Sequence, residues 1–400
     1  MRISSATIND QAVAAILAQQ SRLARTQNEL ATGKRVQTPA DDPAAATAIA
    51  RLQRSLVADV QYAGNAAMAT NRLSFSEQAL TAAGNALQRL QELAVQANSS
   101  TLDQPTRRSL AAEMRSRADE LIDIANRQDA SGDHLFSGLR AGLQPFSRDA
   151  TAAVTYQGDA ASRAVKISAT QRVVDGHSGA EVFMNLRGGN GSFVTAAAAT
   201  NNGAARIDIG SVVALAAWSA AAGSYSINFV TPGSYEVRDS ANTLVVAASY
   251  VQGTAINFNG AQVTISGAAA AGDQFTLDVA TRQPIFATID RLIAAVEGPA
   301  GTPSERALFV TEMSRAINDL GRSNDHLLGI RAEIGARLST IDNGDQARAD
   351  ARFELERTLS ELQDVDYAEA VSRMNLQLAG LQAAQQSYTR ISQLSLFNYL

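Results

Sequence analysis

The sequence predicts a mainly α fold, an elongated antiparallel helical rod with coiled-coil ends that carries an inserted all-β domain. Three observations predict it. Met313, Leu320, Leu327, Ile334, Ile341, Leu355 and Leu362 hold one heptad register interrupted only by Arg348. Ile16, Leu23 and Leu30, and then Leu73, Leu80 and Leu87, repeat the same step in the N-terminal part. Between about 144 and 282 the apolar period falls to two, the signature of strands. At about 1.5 Å per residue an unbroken helix over 303–362 would reach about 90 Å, longer than an ordinary globular domain, so such helices must lie side by side as a rod.

The first arm, 9–32, ends in the stretch "ATGKRVQTPADDPAAA", 31–46. Gly33 suits the position after a helix because it tolerates positive φ, with Lys34 and Arg35 where a helix dipole favours cations. Pro39 and Pro43 push the residues before them out of the α region, and Asp42 can accept the free amides of a new helix whose first position is Pro43. That helix runs to about Asn98, with Ile49, Leu52 and Leu56 preceding the leucine line. "NSSTLDQPT" at 98–106 breaks it, and a shorter helix carries Leu110, Met114, Leu121 and Ile124.

The middle alternates: Tyr225, Ile227 and Phe229; Ile256 and Phe258; Val263 and Ile265; Phe275, Leu277 and Val279. "INFNGAQVTI" predicts a hairpin turning at Asn259-Gly260. After the long C-terminal helix, "QDVDYAE" at 363–369 is a second break. The final arm, 368–396, places Val371, Met374, Leu378, Leu381, Tyr388, Ile391 and Leu394 on an apolar face. With Ile16, Leu23 and Leu30 these are the candidate assembly surface, and Gly33, Pro39, Asp42 and Pro43 the candidate connector. Each arm carries a stripe but too little covering surface, so residues 1 to about 40 and about 365 to 400 are expected to be largely disordered in the soluble monomer and to become helical only when neighbouring subunits complete the coiled coil.

Composition narrows the function. The 34 basic residues are dispersed and the net charge is −5, so nucleic-acid binding is not expected. No stretch approaches the roughly 20 apolar residues of a membrane span, and the first residues lack the apolar core of a secretory signal. Membrane insertion and conventional secretion are not expected. The chain has no cysteine, which removes disulfides, thiolate zinc sites and thiol catalysis. His134, His177 and His326 match no metal-ligand spacing, Ser178 lacks a nucleophile-elbow frame, and "TGKR" lacks the Walker spacing. The sequence therefore predicts no enzyme, no cofactor and no metal.

The opening "MRIS", the segment "LATGKRVQTPADDPAAA", the stretch "ANRQDASGDHLFSG" at 125–138 and the final "SLFNYL" resemble the bacterial flagellin superfamily, and within it the flagellar hook-associated protein 3 (FlgL-type) family. The resemblance covers about 1–140 and 283–400, and "YQGD" at 156–159 adds to it. It implies terminal arms paired as an inner coiled coil, with 31–46 and 363–369 as spokes to the next domain. It implies a structural subunit of the flagellum at the hook–filament junction, outside the cell, exported by the flagellar type III system. It also implies partners: copies of itself in a ring, the preceding hook-associated junction protein, flagellin, and an export chaperone.

The expected division is 1–42 (arm and connector), 43–142 (rod), 143–282 (β insert), 283–365 (rod) and 366–400 (arm). Two other functions fit the pattern. One is flagellin itself, whose ends are similar; the other is a surface-binding module on a helical stalk, supported by the single Trp218 and the tyrosines of the insert.

Overall fold

The computed structural model describes residues 5–99 and 102–397, without the side chains of 5, 6, 8, 9 and 391–397. Its helices are α1 (Ser5–Thr32), α2 (Pro43–Ala97), α3 (Gln104–Ala125), α4 (Leu215–Ala221), α5 (Ile285–Glu297), α6 (Pro303–Gln363) and α7 (Tyr367–Phe397). The predicted boundaries of α1, α2, α6 and α7 lie within a few residues of these. The chain forms two compact units, one of residues up to Gly64 with those from Asn343 onward, the other Asn65–Asp342.

In the unit Asn65–Asp342 the predicted apolar lines meet. Leu73, Leu80 and Leu87 of α2, Leu110, Met114, Leu121 and Ile124 of α3, and Met313, Leu320, Leu327, Ile334 and Ile341 of α6 are all buried in one core. Helix α5 joins them through Ile285, Phe286, Ile289, Leu292, Ile293 and Val296. Its i, i+3, i+4 spacing was available in the sequence, yet the strand period upstream masks where it begins.

Four short strands and a helical turn share this core. They are β1 (Phe146–Arg148), β2 (Val154–Tyr156), β3 (Ala164–Lys166), β4 (Arg172–Val174) and a π-helical turn, Ala180–Met184. Phe146 and Phe183 are fully buried, their ring centroids 5.5 Å apart, and Phe183 stands edge-on to Phe136 at 5.3 Å. The buried side chains from Phe146 to Leu186 lie in the helical core, and those from Phe193 onward in a second one. Two-stranded pairs three residues long cannot enclose a core of their own, so they lean on the helical one.

The "ANRQDASGDHLFSG" stretch is bolted to this region by polar groups. Arg72 of α2, 7% exposed, donates to the Asp129 carboxylate at 2.7 Å and to the His134 carbonyl at 2.9 Å. Asn126 exchanges two hydrogen bonds with the backbone of Phe146. The Tyr156 hydroxyl of "YQGD" lies 2.7 and 2.9 Å from the carbonyls of Asp159 and Phe136, which share its one proton, and Gly138, at φ 70°, leaves no room for a side chain beside Asp159. The two motifs are halves of one interlock.

A second core begins beyond β5 (Leu186–Arg187). It is built from β6 (Phe193–Ala197), β7 (Arg206–Ile207), β8 (Ser211–Val212), β9 (Tyr225–Thr231), β10 (Ser234–Asp239), β11 (Leu244–Ser249), β12 (Ala255–Phe258), β13 (Ala261–Ser266) and β14 (Gln274–Val279), and β15 (Arg282–Gln283) follows it. One antiparallel sheet has the order β11-β10-β9-β14-β6, and β13 pairs with β12, β7 and β8. The predicted inward residues are buried, except Val279, which is 43% exposed where its strand outruns the core. Asn259 and Gly260 take φ 45° and 80°, the two positive values that a tight hairpin turn requires. Trp218 packs on Phe193 and Tyr225 at 5.1 and 6.2 Å and is 5% exposed. It is a core residue, which removes the main support for a surface-binding module.

The two ends of this β module meet at a neck where β5 pairs with β15. Buried Asp319 of α6 accepts from the Gly189 amide at 2.6 Å and from Gln283 Nε2 at 3.0 Å, while Arg322 donates to the carbonyls of Arg187 and Asn190. Polar contacts fasten the neck to α6 alongside Leu186 of β5, which is buried in the helical core.

Two outcomes follow. Leu327→Ala empties a closed site and should cost about 2–5 kcal/mol, read by denaturant or thermal unfolding; an unchanged unfolding curve would place the core elsewhere. Replacing 191–279 by a short Gly/Ser linker should leave a folded protein with the first core intact. Replacing 143–282 removes Phe146 and Phe183 together and should abolish cooperative unfolding. Equal stability of the two deletions would refute the division of cores.

Candidate functional site

The sequence singles out the terminal arms and the connector, and all of these lie in the unit that contains α1 and α7. Helix α1 ends at Thr32, and Gly33 follows with φ 71°. A Cβ at Gly33 would stand 3.0 Å from the Tyr367 hydroxyl, so both conformation and space call for glycine. The chain then meets the break between α6 and α7. Arg35 N donates to the Gln363 carbonyl at 2.7 Å, Val365 N to the Gly33 carbonyl at 3.0 Å, and Lys34 and Asp364 form an antiparallel bridge. The Arg35 guanidinium donates to the Leu362 carbonyl at 2.9 Å, satisfying the C-terminal end of α6 rather than that of its own helix.

Val36 turns inward onto Ala45, Ile49, Leu359 and Leu362, a small cluster that fixes the connector against both long helices. The Asp42 carboxylate accepts from the Ala44 and Ala45 amides at 3.1 and 2.9 Å, and Pro43 takes the first helical position. Pro39 is exposed in the preceding turn. On the other side Asp366 caps α7 through the Ala368 and Glu369 amides.

Asp41 organises the turn. One carboxylate oxygen accepts from the amides of Gln37 and Thr38 and from the Thr38 hydroxyl, and the other is ion-paired with Arg25 of α1. Arg25 first, and then the bonds from Thr38, hold this half-buried carboxyl well below the usual aspartate range. The sequence marks Asp41 only as one of two adjacent aspartates; Arg25, about two turns before the end of α1, carries no visible signal. A polar cleft lined by Arg25, Asn28, Glu29, Arg35 and Asp41 opens beside the connector.

Helices α1 and α7 lie against each other within one chain. Arg373 pairs with Glu29 at 2.6 Å, and Gln19 Nε2 donates to the Gln377 carbonyl at 3.2 Å. Leu23 is buried, whereas Ile16, Leu30, Met374, Leu378, Leu381 and Tyr388 are only half-buried. Val371 is 42% exposed, at the margin of the stripe. The side chains of Ile391 and Leu394, like those of "MRIS" and "SLFNYL", lie outside the described residues. Leu17, beside Ile16 in the sequence stripe, stands exposed, as do Val13 and Leu376, the last on the face of α7 opposite Met374 and Leu378. The site offers partly covered apolar surface and a rigid polar corner.

The corner predicts a pH response. Because Asp41's folded value lies below its unfolded one, its contribution is complete above the unfolded value, about 3.9, and is lost as pH falls through the folded one. Side-chain carboxyl NMR should find Asp41 titrating well below that value, and Arg25→Ala should move it back toward it. An ordinary value in the unaltered chain would contradict the ion pair.

Comparison with known proteins places this architecture. Residues 3–141 match the bacterial flagellin N-terminal helical region, and residues 196–279 match the flagellar hook-associated protein 1 D2-like domain. The chain is 25% identical over 398 residues to flagellar hook-associated protein 3 of Salmonella typhimurium, covering 99% of each chain. Its fold is similar to that of FlgL from Xanthomonas campestris, at 34% identity and a TM-score of 0.72 over 77% of this chain and 99% of that one. It is also similar to hook-associated protein 3 from Legionella pneumophila, at 28% identity and a TM-score of 0.76 over 78% and 98%. At 34% identity over 99% of the Xanthomonas campestris chain, and with similarity along 99% of hook-associated protein 3, the chain belongs to the FlgL family, that of flagellar hook-associated protein 3.

Proposed function

We propose that this chain is a structural, non-enzymatic subunit of the bacterial flagellum, set at the hook–filament junction as an adaptor on which the filament assembles. The observation that carries the reading is similarity to hook-associated protein 3 along 99% of both chains. The half-covered helix pair supports it, because an apolar stripe that one chain only partly hides is completed by adjoining subunits.

In this reading Ile16, Leu23, Leu30, Val371, Met374, Leu378, Leu381, Tyr388, Ile391 and Leu394 form the seam of a coiled coil whose outer faces meet other copies. Leu17 and Leu376 extend that surface. Gly33, Pro39, Asp42 and Pro43 form the corner that sets the direction of the long helices relative to the arms. The partners are like copies in a ring, the preceding hook-associated junction protein on one side and flagellin on the other. An export chaperone covers the C-terminal arm before assembly, and the protein reaches the outside through the flagellar type III channel.

Deleting the gene should leave hooks without filaments and flagellin free in the medium, seen by electron microscopy and blotting. Normal filaments in the deletion strain would refute the junction role, and long filaments grown by the purified chain alone would assign it to flagellin. A finer test is Leu17→Ser with Leu376→Ser. Both side chains are exposed, so unfolding of the isolated chain should change by less than about 0.5 kcal/mol for each. Complementation of motility should nonetheless fail. Full motility would remove these faces from the interface.

A further inference from the structure

His177 is buried, its side chain 2% exposed, yet its Nε2 has no hydrogen-bond partner. Its other nitrogen is committed. Nδ1 lies 3.0 Å from Oε2 of Glu181, one turn later in the π-helical turn, and since a carboxylate only accepts, Nδ1 carries the proton. That tautomer leaves a lone pair on Nε2. The lone pair faces Glu333 of α6, whose Oε2 is 3.7 Å away, too far for a hydrogen bond. The ligand atoms of His177, Glu181 and Glu333 all lie within 4.8 Å of one another.

A buried acceptor facing an acceptor is unfavourable unless something positive lies between them. The geometry points to a divalent transition-metal cation of the zinc class, bound by Nε2 of His177 and the carboxylate of Glu333. Glu181 acts behind the ring as the carboxylate that orients a metal-ligating histidine, and water completes the shell. Bonds of about 2.0–2.2 Å from nitrogen and oxygen to one ion are compatible with ligand atoms this far apart. His326 steadies the arrangement, donating from Nε2 to the Glu181 carbonyl at 2.9 Å.

One group opposes the ion. Arg337, one turn along α6, donates to the same Glu333 oxygen at 3.3 Å. A bound cation must displace it, so affinity is modest rather than that of a structural zinc cage. The effect of binding is local. The ion ties the segment that leads to the neck of the β module onto α6.

The test uses the full-length chain, stripped with EDTA and titrated with zinc chloride at neutral pH by calorimetry and thermal unfolding. One equivalent should bind and raise the unfolding temperature. Glu333→Gln, at a side chain 57% exposed and so free to fold, should weaken binding about tenfold or more. Arg337→Ala should tighten it, an effect that general surface binding would not give. No binding at millimolar zinc, or binding unchanged in Glu333→Gln, would overturn the site. Acid stabilisation with no effect of zinc would also overturn it, assigning the trio to an imidazolium held between two carboxylates.

Discussion

The constraint on which this fold depends is that its first and last parts must find each other across the whole chain. The Arg35 side chain bonds to the Leu362 carbonyl across 327 residues, and Arg373 to Glu29 across 344. Closing loops of that length carries a large entropic cost, but the cost rises only logarithmically with length, so a long insert adds little to it. What offsets the closure is burial distributed along the helices. Leu73, Leu80 and Leu87 lie with Met313, Leu320 and Leu327 in one core, and each such side chain contributes about 1.5–3 kcal/mol on leaving water. The polar corner at Gly33 and Arg35 contributes direction rather than bulk stability.

The same division of labour recurs at the neck. Asp319 is buried with a charge that is costly to desolvate, and it is compensated by the Gly189 amide, Gln283 and Arg291. Apolar contacts at this place would tolerate many orientations of the β module. A carboxylate that must accept from one particular amide and one particular side chain tolerates few, so the module leaves α6 in a defined direction.

How legible this was depends on the range of the interaction. Heptad lines, the Asn259-Gly260 turn and the Asp42-Pro43 start are written within a few residues, and each was readable from spacing or conformational preference. Helix α5 is written as plainly, in Ile285, Phe286, Ile289 and Leu292, but it adjoins strand-period sequence that hides where it begins. The split of the β region at about 187 was not readable. Phe146 and Phe183 look like any alternating strand residues, and only the helices that receive them show which core they enter. Arg25 with Asp41, and His177 with Glu333, are pairs without local spacing, so no motif search could have joined them.

The terminal pair was half legible, and the missing half bears on assembly. The sequence predicts stripes without cover, whereas α1 and α7 cover each other in part, through Leu23 and the half-buried Met374, Leu378 and Leu381. Two paired helices of this kind have one buried seam and two outer faces, and Leu17 and Leu376 stand on outer faces. A two-helix seam with little else around it is marginal in water, because the entropy of ordering about 30 residues in each helix is opposed by few fully buried side chains. Neighbouring chains would add the missing burial, and the order of the arms would then rise with assembly. That coupling favours addition to a structure already begun over association of free subunits, since only the former supplies contacts on several faces at once.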